Sequence, residues 1–196
     1  STYMFQLSKP QKFDITAYKH ADVILKNSFP VEWNEINEML ENFKINKSWL
    51  IEGGGRKSKI AEAVDEHLIE KNGWFEKEFQ TSIVSDGISR ENPTHKIDCY
   101  KNRVAFELEW NNKTEFYDRD LNNFRILHQL DNISLGIIMT RATSLNDRLK
   151  DYKIMSKYGA STTHGDKLLK KIDGGGSGGC PIIVIQIKSE CIDESR

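Results

Sequence analysis

The feature that most constrains this chain is an acidic–apolar–acidic triplet in the middle of an apolar segment, residues 104–110. Side chains alternate between the two faces of a strand, so Glu107 and Glu109 fall on one face and the large apolar side chains fall on the other. Glutamate is disfavoured in strands, and a strand with one apolar face rarely carries two carboxylates at its centre. The pattern therefore predicts a sheet strand whose carboxylates bind something.

Asp98 lies a short distance upstream and can add a third carboxylate from a neighbouring strand or turn. Oxygen ligands suit Mg²⁺, which keeps several waters and takes one or two protein carboxylates. In this interpretation Asp98 and Glu107 hold the metal together with the Leu108 carbonyl oxygen, as a metal-dependent phosphodiesterase requires. Glu109 then accepts a proton from the attacking water or binds a second metal. The alternative interpretation is a half-exposed strand with solvated acids.

A glycine-rich basic segment, residues 53–59, precedes a predicted helix. It lacks the terminal Gly-Lys-Ser/Thr of a P-loop, which argues against nucleotide binding. Arg56 and Lys57 can contact DNA phosphates from the helix N-terminus, or they form a solvated basic turn. Glu62, in the helix that follows, is either a solvent-exposed acid or a further carboxylate that reaches the metal cluster.

Composition limits the class of protein. With 196 residues, 38% of them hydrophobic, the chain suits one sizeable α/β domain. The 28 basic and 29 acidic residues give a net charge of −1, which argues against an indiscriminate nucleic-acid coat protein but leaves room for a basic cleft. No apolar run approaches the roughly 20 residues of a membrane span, and no signal peptide is evident, which favours a cytoplasmic location. Three scattered cysteines form no zinc pattern and indicate buried thiols.

Apolar periodicity and turn residues predict helices and strands in alternation after a helical beginning. The order favours a mixed α/β architecture with a central sheet. A glycine-rich segment, 174–179, is predicted to be a flexible connector or a loop that closes over a substrate. The predicted helices cover residues 17–27, 31–43, 58–72, 145–155 and 166–172, and a further helix capped by Asp118 or Asp120 runs to about residue 130. The predicted strands cover residues 81–84, two short strands within 97–110, 134–140 and 181–187, with a turn-rich segment at 86–94.

From about residue 52 to residue 188 the chain resembles the BglII/BstYI-type restriction endonucleases of the PD-(D/E)XK superfamily. The matching segments are residues 53–62, 72–74, 98 with 103–109, 117–121, 161–164, and 174–185. The resemblance implies a restriction-endonuclease-like α/β fold, a central mixed β-sheet flanked by helices. We expect a single domain over residues 1–196, with an N-terminal helical part (1–50) and a catalytic core (51–190).

The resemblance also implies a type II restriction endonuclease, a homodimer that clamps duplex DNA. It would use Mg²⁺, for which Mn²⁺ can substitute, to cut both strands of a short palindrome, leaving 5′-phosphate and 3′-hydroxyl ends. A cognate DNA methyltransferase would belong to the same system without being a physical partner. By resemblance Asp98 and Glu107 are metal ligands, and Glu109 fills a motif position where the superfamily usually has lysine and close relatives have glutamine. Glu62 matches a helical glutamate that some relatives contribute.

The same resemblance points to residues that read DNA. Asn111 and Asn112 match a stretch that reaches base edges in the major groove, and asparagine suits adenine. Two alternatives stay open: a structure-specific nuclease of repair or recombination, and a catalytically silent DNA-binding module, which the Glu109 substitution suggests. Further candidates for contact with bases or backbone are Lys113, Arg141, Ser161, Thr162 and Thr163.

Overall fold

The computed structural model describes residues 4–52, 58–91, 95–158 and 164–196. In this part of the chain the strands are β1 (Phe13–Tyr18), β2 (Ile45–Asn46), β3 (Phe75–Phe79), β4 (Ser82–Ser85), β5 (Ile88–Glu91), β6 (His95–Lys101), β7 (Val104–Glu109), β8 (Leu135–Arg141), β9 (Ile182–Ile187) and β10 (Ile192–Asp193). The α-helices are α1 (Ala21–Ser28), α2 (Pro30–Asn42), α3 (Lys47–Glu52), α4 (Lys59–Asp65), α5 (Glu115–Gln129), α6 (Leu145–Asp151) and α7 (Gly165–Asp173). A π-helical segment, Glu66–Lys71, continues α4.

Six strands form a central mixed sheet in the order β1-β9-β8-β7-β6-β3. The middle strands β7, β8 and β9 run parallel, and the outer pairings are antiparallel. Every residue of β8 and β9 is buried, as expected for parallel strands covered on both faces. This architecture confirms the predicted mixed α/β fold with a central sheet.

Two apolar clusters cover the two faces of this sheet. One cluster joins α1, α2 and α4 to one face, where Phe106 and Met139 are buried. The other joins α5 and α7 to the opposite face, where Ala105 and Ile138 are buried. Successive residues along β7, and along β8, therefore pack into different clusters, because strand side chains alternate between the two faces.

Several local predictions are confirmed. The helix predicted over residues 31–43 is α2, and Pro30 is its first residue, where proline is favoured. The two strands predicted within 97–110 are β6 and β7, joined by Asn102 and Arg103 at φ 47° and 73°. These paired positive φ values are typical of a tight hairpin turn. The glycine-rich segment, predicted to be a flexible connector or a closing loop, instead forms a compact turn in which Ser177 is buried and a Cβ on Gly178 would lie 2.8 Å from Arg125 Cγ.

Two strands and the start of one helix were predicted wrongly. The first sheet element is β1, antiparallel to β9, so the N-terminal part is not purely helical. Its signal was the alternation of buried Phe13 and Ile15 with a polar residue between them, which covers only the first three residues of the strand. The turn-rich segment contains β5, which pairs with β4 in an exposed hairpin. Helix α5 begins at Glu115, so Asp120 lies inside the helix and does not cap it.

Two predictions from composition concern thiols and membranes. The three cysteines are buried, as predicted, and burial raises the pKa of Cys180 and of Cys191 to about 12. Within the described ranges every helix is too short or too polar to span a bilayer.

Candidate active site

The two glutamates of the triplet lie on the α5 side of the sheet. Strand β7 pairs Glu107 with Ile138 and Glu109 with Thr140 across its parallel neighbour β8. Helix α5 covers this face, and Glu107 and Glu109 are only 2% and 1% exposed. The predicted alternation is confirmed, since Phe106 is buried in the cluster on the opposite face. Two carboxylates are thus held inside a packed layer.

Asp98 stands beside Glu107 on the neighbouring strand. The antiparallel register of β6 and β7 sets Cys99 opposite Phe106, the residues next to Asp98 and Glu107. The backbone N–H of Asp98 donates to Glu107 Oε1 at 3.0 Å. Asp98 itself is exposed, so the pair joins a buried carboxylate to a carboxylate at the surface. Leu108 lies between the two glutamates, with its side chain packed on the other face of the sheet.

A fourth carboxylate, Asp120 of α5, was missed in the sequence. Its ligand oxygen and those of Glu107 and Glu109 all lie within 4.8 Å of one another, and Asp120 is 1% exposed. The available signal was helical spacing, because Tyr117, Asp120 and Phe124 fall on one buried stripe of α5. An acid on the apolar stripe of a helix is as unusual as one in a core strand.

One guanidinium and one amide hold Glu109 and Asp120 in place. Arg119 Nη2 lies 3.2 Å from Glu109 Oε1 and 3.2 Å from Asp120 Oδ1. Asn112 Nδ2 donates to Glu109 Oε2. The Arg119 side chain is half exposed and its guanidinium carbon lies 4.4 Å from the centre of the Phe116 ring. Within the described residues, Arg119 is therefore the cation in direct contact with the buried carboxylates, and it touches Glu109 and Asp120 but not Glu107.

Burial and neighbouring negative charges raise the pKa of two of these carboxyl groups. Burial, followed by the charge of Asp98, raises the pKa of Glu107 well above its ordinary value. Burial also raises the pKa of Asp120, with smaller contributions from its hydrogen bond to Glu109 and from the charge of Glu107. Glu107 Oε2 and Asp120 Oδ2 accept no hydrogen bond from the residues that the structure describes. Buried carboxylates in this state require a proton or a cation, so the donor set fits a divalent metal ion.

The remaining predicted catalytic residue lies elsewhere. Glu62 is exposed on α4 and forms an ion pair with Lys59 at 3.5 Å. Among the described residues, the group of possible metal ligands does not include Glu62. Ser58, which precedes α4, caps it by accepting the Ala61 N–H at 3.0 Å. Arg56 and Lys57 lie outside the described residues.

The candidate DNA-contacting residues fall into distinct environments. Asn111 and Lys113 are exposed just beyond β7, and Asn111 Nδ2 donates to the Lys157 carbonyl at 3.1 Å. Asn112 is engaged by Glu109. Arg141 is fully buried, 5.1 Å from the Tyr158 ring centre, so a DNA contact through it requires this region to open. The remaining candidates, Ser161, Thr162 and Thr163, lie outside the described residues.

Comparison with known proteins places this arrangement in a family. No curated protein matches the chain. The family model described as restriction endonuclease BglII/BglIII matches residues 13–187, from the first residue of β1 to the last residue of β9. The match spans all six strands of the central sheet and the four clustered carboxylates. The chain therefore belongs to the BglII/BglIII restriction endonuclease family and is a type II site-specific deoxyribonuclease.

Proposed function

We propose that the protein cuts both strands of duplex DNA at a short palindromic sequence, with Mg²⁺, and leaves 5′-phosphate and 3′-hydroxyl ends. The observation that carries this proposal is the pairing of Glu107, buried and lacking a donor at Oε2, with exposed Asp98. A site of this kind joins a fixed interior carboxylate to a surface where a DNA phosphate can approach. A palindromic target would suit a homodimer, in which two copies read equivalent half-sites.

Asp98 and Glu107 would hold Mg²⁺, together with the Leu108 carbonyl oxygen. All three are hard oxygen ligands, and one or two protein carboxylates with several waters is the usual Mg²⁺ arrangement. When bound, the cation lowers the pKa of a bound water and neutralises charge that develops on the phosphate. Mn²⁺ offers the same preference for oxygen ligands and can substitute.

Glu109 would accept the proton of the attacking water. Its two oxygens are held by different donors, Asn112 at Oε2 and Arg119 at Oε1, which fixes the plane of the carboxylate. A carboxylate fixed in orientation beside the metal ligands is placed to orient water for in-line attack. Arg119, half exposed beside it, can also approach a DNA phosphate.

Base reading would fall to Asn111 more than to Asn112, because Asn112 is already bonded to Glu109. Lys113 is exposed next to them and suits a phosphate contact. The roles of Arg56 and Lys57 stay predictions from the sequence. The roles of Glu62, Arg141 and residues 161–163 also stay predictions, as does a cognate DNA methyltransferase that protects host DNA without binding the nuclease.

The direct test is incubation of the protein with unmethylated plasmid DNA, with Mg²⁺ and separately with EDTA, followed by sequencing of the product ends. We expect discrete fragments in Mg²⁺ only, with one short palindrome at every end. A smear without a shared sequence would instead indicate a nuclease that recognises DNA structure. Intact DNA that still shifts on a gel would indicate a silent binding module.

Glu107→Ala separates catalysis from binding in the same assay. We expect this variant to bind DNA and to leave it uncut in Mg²⁺. Metal-dependent cleavage by Glu107→Ala would contradict the assignment of Glu107 as a metal ligand. Glu70→Ala, at an exposed position remote in sequence from the cluster, is a control that should cut normally.

A further inference from the structure

We propose that Thr140 and Tyr117 position Glu109 for the cleavage step, through a chain of two hydrogen bonds that ends on the backbone carbonyl of Glu109. The inference rests on the proposed function, because it concerns the carboxylate that would accept the proton of the attacking water. It adds two hydroxyl groups to which the sequence assigned no role.

Thr140 lies directly beside Glu109. The parallel register of β7 and β8 pairs the two residues, and Glu109 is the last residue of β7. The Thr140 hydroxyl donates to the Glu109 carbonyl oxygen at 2.8 Å. The end of the strand that carries this carboxylate is therefore held by a side chain as well as by the sheet.

Tyr117 supplies the second hydrogen bond, from helix α5. Its phenol oxygen lies 2.5 Å from Thr140 Oγ1. A hydroxyl group has one proton, and that of Thr140 is already given to a carbonyl oxygen, which can only accept. The Tyr117 phenol must therefore be the donor, so the chain runs in one direction, from Tyr117 through Thr140 to Glu109.

Both hydroxyl groups are enclosed. Thr140 and Tyr117 are 0% exposed, so bulk water does not compete for either bond. Hydrogen bonds in a chain strengthen one another in a low-dielectric interior, and a β-branched side chain such as threonine has few rotamers. The Glu109 carbonyl therefore meets a donor whose position is fixed.

The other contacts of Glu109 hold its carboxylate rather than its backbone. Arg119 Nη2 lies 3.2 Å from Oε1, and Asn112 Nδ2 donates to Oε2. Tyr117 and Arg119 both belong to α5, so this helix reaches Glu109 at its carboxylate and, through Thr140, at its main chain. A residue held at both ends keeps the orientation that proton transfer from water needs, and a misplacement of about 1 Å can slow a reaction about 100-fold.

The test is the single-turnover rate at which the protein cuts unmethylated plasmid DNA in Mg²⁺, measured beside the affinity for the same DNA in Ca²⁺. Thr140→Val removes the hydroxyl and keeps the shape of the side chain, and it should cut about 10-fold more slowly with unchanged affinity. Thr140→Ser keeps the hydroxyl and should restore a rate close to that of wild type. Thr81→Val is a matched control, since Thr81 is also buried and its hydroxyl has no hydrogen-bond partner in the described part of the chain; it should cut normally.

The serine variant separates positioning from a merely structural role. It loses a buried methyl group, so it should melt below wild type, yet its rate should recover because the donor to Glu109 is present. All rates are measured well below the melting temperature of each variant. A Thr140→Ser enzyme as slow as Thr140→Val, or a Thr140→Val enzyme as fast as wild type, would overturn the positioning role and leave the proposed function intact.

Tyr117→Phe is the deciding variant if Thr140→Val does not fold, as judged by circular dichroism. It removes only the outer hydroxyl, and the loss of one hydrogen bond should slow cleavage about 2- to 10-fold. A Tyr117→Phe enzyme that cuts at the wild-type rate would then overturn the positioning role. Wild-type protein that leaves DNA intact in Mg²⁺ would overturn both this role and the proposed function.

Discussion

Replacing Glu107 with glutamine should stabilise the metal-free protein while it abolishes cleavage. Glu107 is 2% exposed, and its Oε1 accepts the Asp98 N–H at 3.0 Å, whereas Oε2 has no donor in the described part of the chain. Glutamine has the same shape, keeps one acceptor for that N–H, and offers an NH₂ group to the neighbouring carboxylates. At a pH above the raised pKa of Glu107, the substitution removes a buried negative charge, and the NH₂ group of glutamine takes the place of the oxygen that lacks a donor.

The size of the effect follows from the burial. An unsatisfied buried polar group costs about 1–3 kcal/mol, and more if it is charged. For a protein of this size each kcal/mol moves the melting temperature by about 2–4 °C. Glu107→Gln should therefore raise the melting temperature in EDTA by about 2–12 °C. Catalytic sites often carry such a conflict between stability and activity.

Differential scanning calorimetry in EDTA and in Mg²⁺ measures this effect. Saturating Mg²⁺ should stabilise wild type more than Glu107→Gln, because binding to the folded state adds to its stability. The gap between the two proteins should thus narrow or reverse. Glu70→Gln, an exposed glutamate, should leave the melting temperature nearly unchanged. A lower melting temperature for Glu107→Gln than for wild type in EDTA would refute the reasoning, because the fold would then accommodate the charge.

Three further predictions concern pH, charge and base reading. Because the folded pKa values of Glu107 and Asp120 are raised, the folded protein holds protons that the unfolded chain has released. The free energy of unfolding in EDTA should therefore fall as the pH rises from about 4 toward those raised pKa values. Urea unfolding between pH 4 and 8 measures this slope, and Glu107→Gln should make it smaller. Arg119→Gln should slow single-turnover cleavage by about 10- to 100-fold, because a charge-assisted contact of about 1.5–3 kcal/mol is lost. Arg119→Lys should retain more activity. Equal rates for wild type and Arg119→Gln would contradict a role for this charge in cleavage. Asn111→Ala should reduce the preference for cognate over random duplex by about 1–3 kcal/mol in gel-shift competition with Ca²⁺, and equal loss on both duplexes would exclude base reading.

The sequence predicted the elements whose signals are local. The buried strands β8 and β9 follow from short apolar runs, and the hairpin of β6 and β7 follows from two apolar segments around a turn. Edge strand β1 was missed because its alternation covers few residues and adjoins a stronger helical pattern. The pairing of β1 with the C-terminal β9 joins residues far apart in the chain, and no local pattern encodes such a contact.

The residues of the candidate site also divide into those with a local sequence signal and one without. Asp98, Glu107 and Glu109 were singled out in the sequence because β6 and β7 are consecutive, so nearness along the chain implies nearness in space. Asp120 comes from the next helix, and its approach to Glu109 depends on where α5 begins and which stripe it buries. Moving the helix start from Asp118 or Asp120 to Glu115 turns Asp120 from a cap into a buried side chain.

Glu109 also shows why a motif is better compared by charge than by position. The superfamily's usual lysine would place a cation beside the metal-binding carboxylates, and glutamate at that position suggested a silent module. In the fold, Arg119 brings a guanidinium from α5 to within 3.2 Å of Glu109 Oε1. A positive charge is therefore present at this place, although it comes from a residue ten positions later in the chain. Because electrostatic effects on a phosphate depend on where charge lies and not on which residue carries it, Glu109 is no evidence against catalysis.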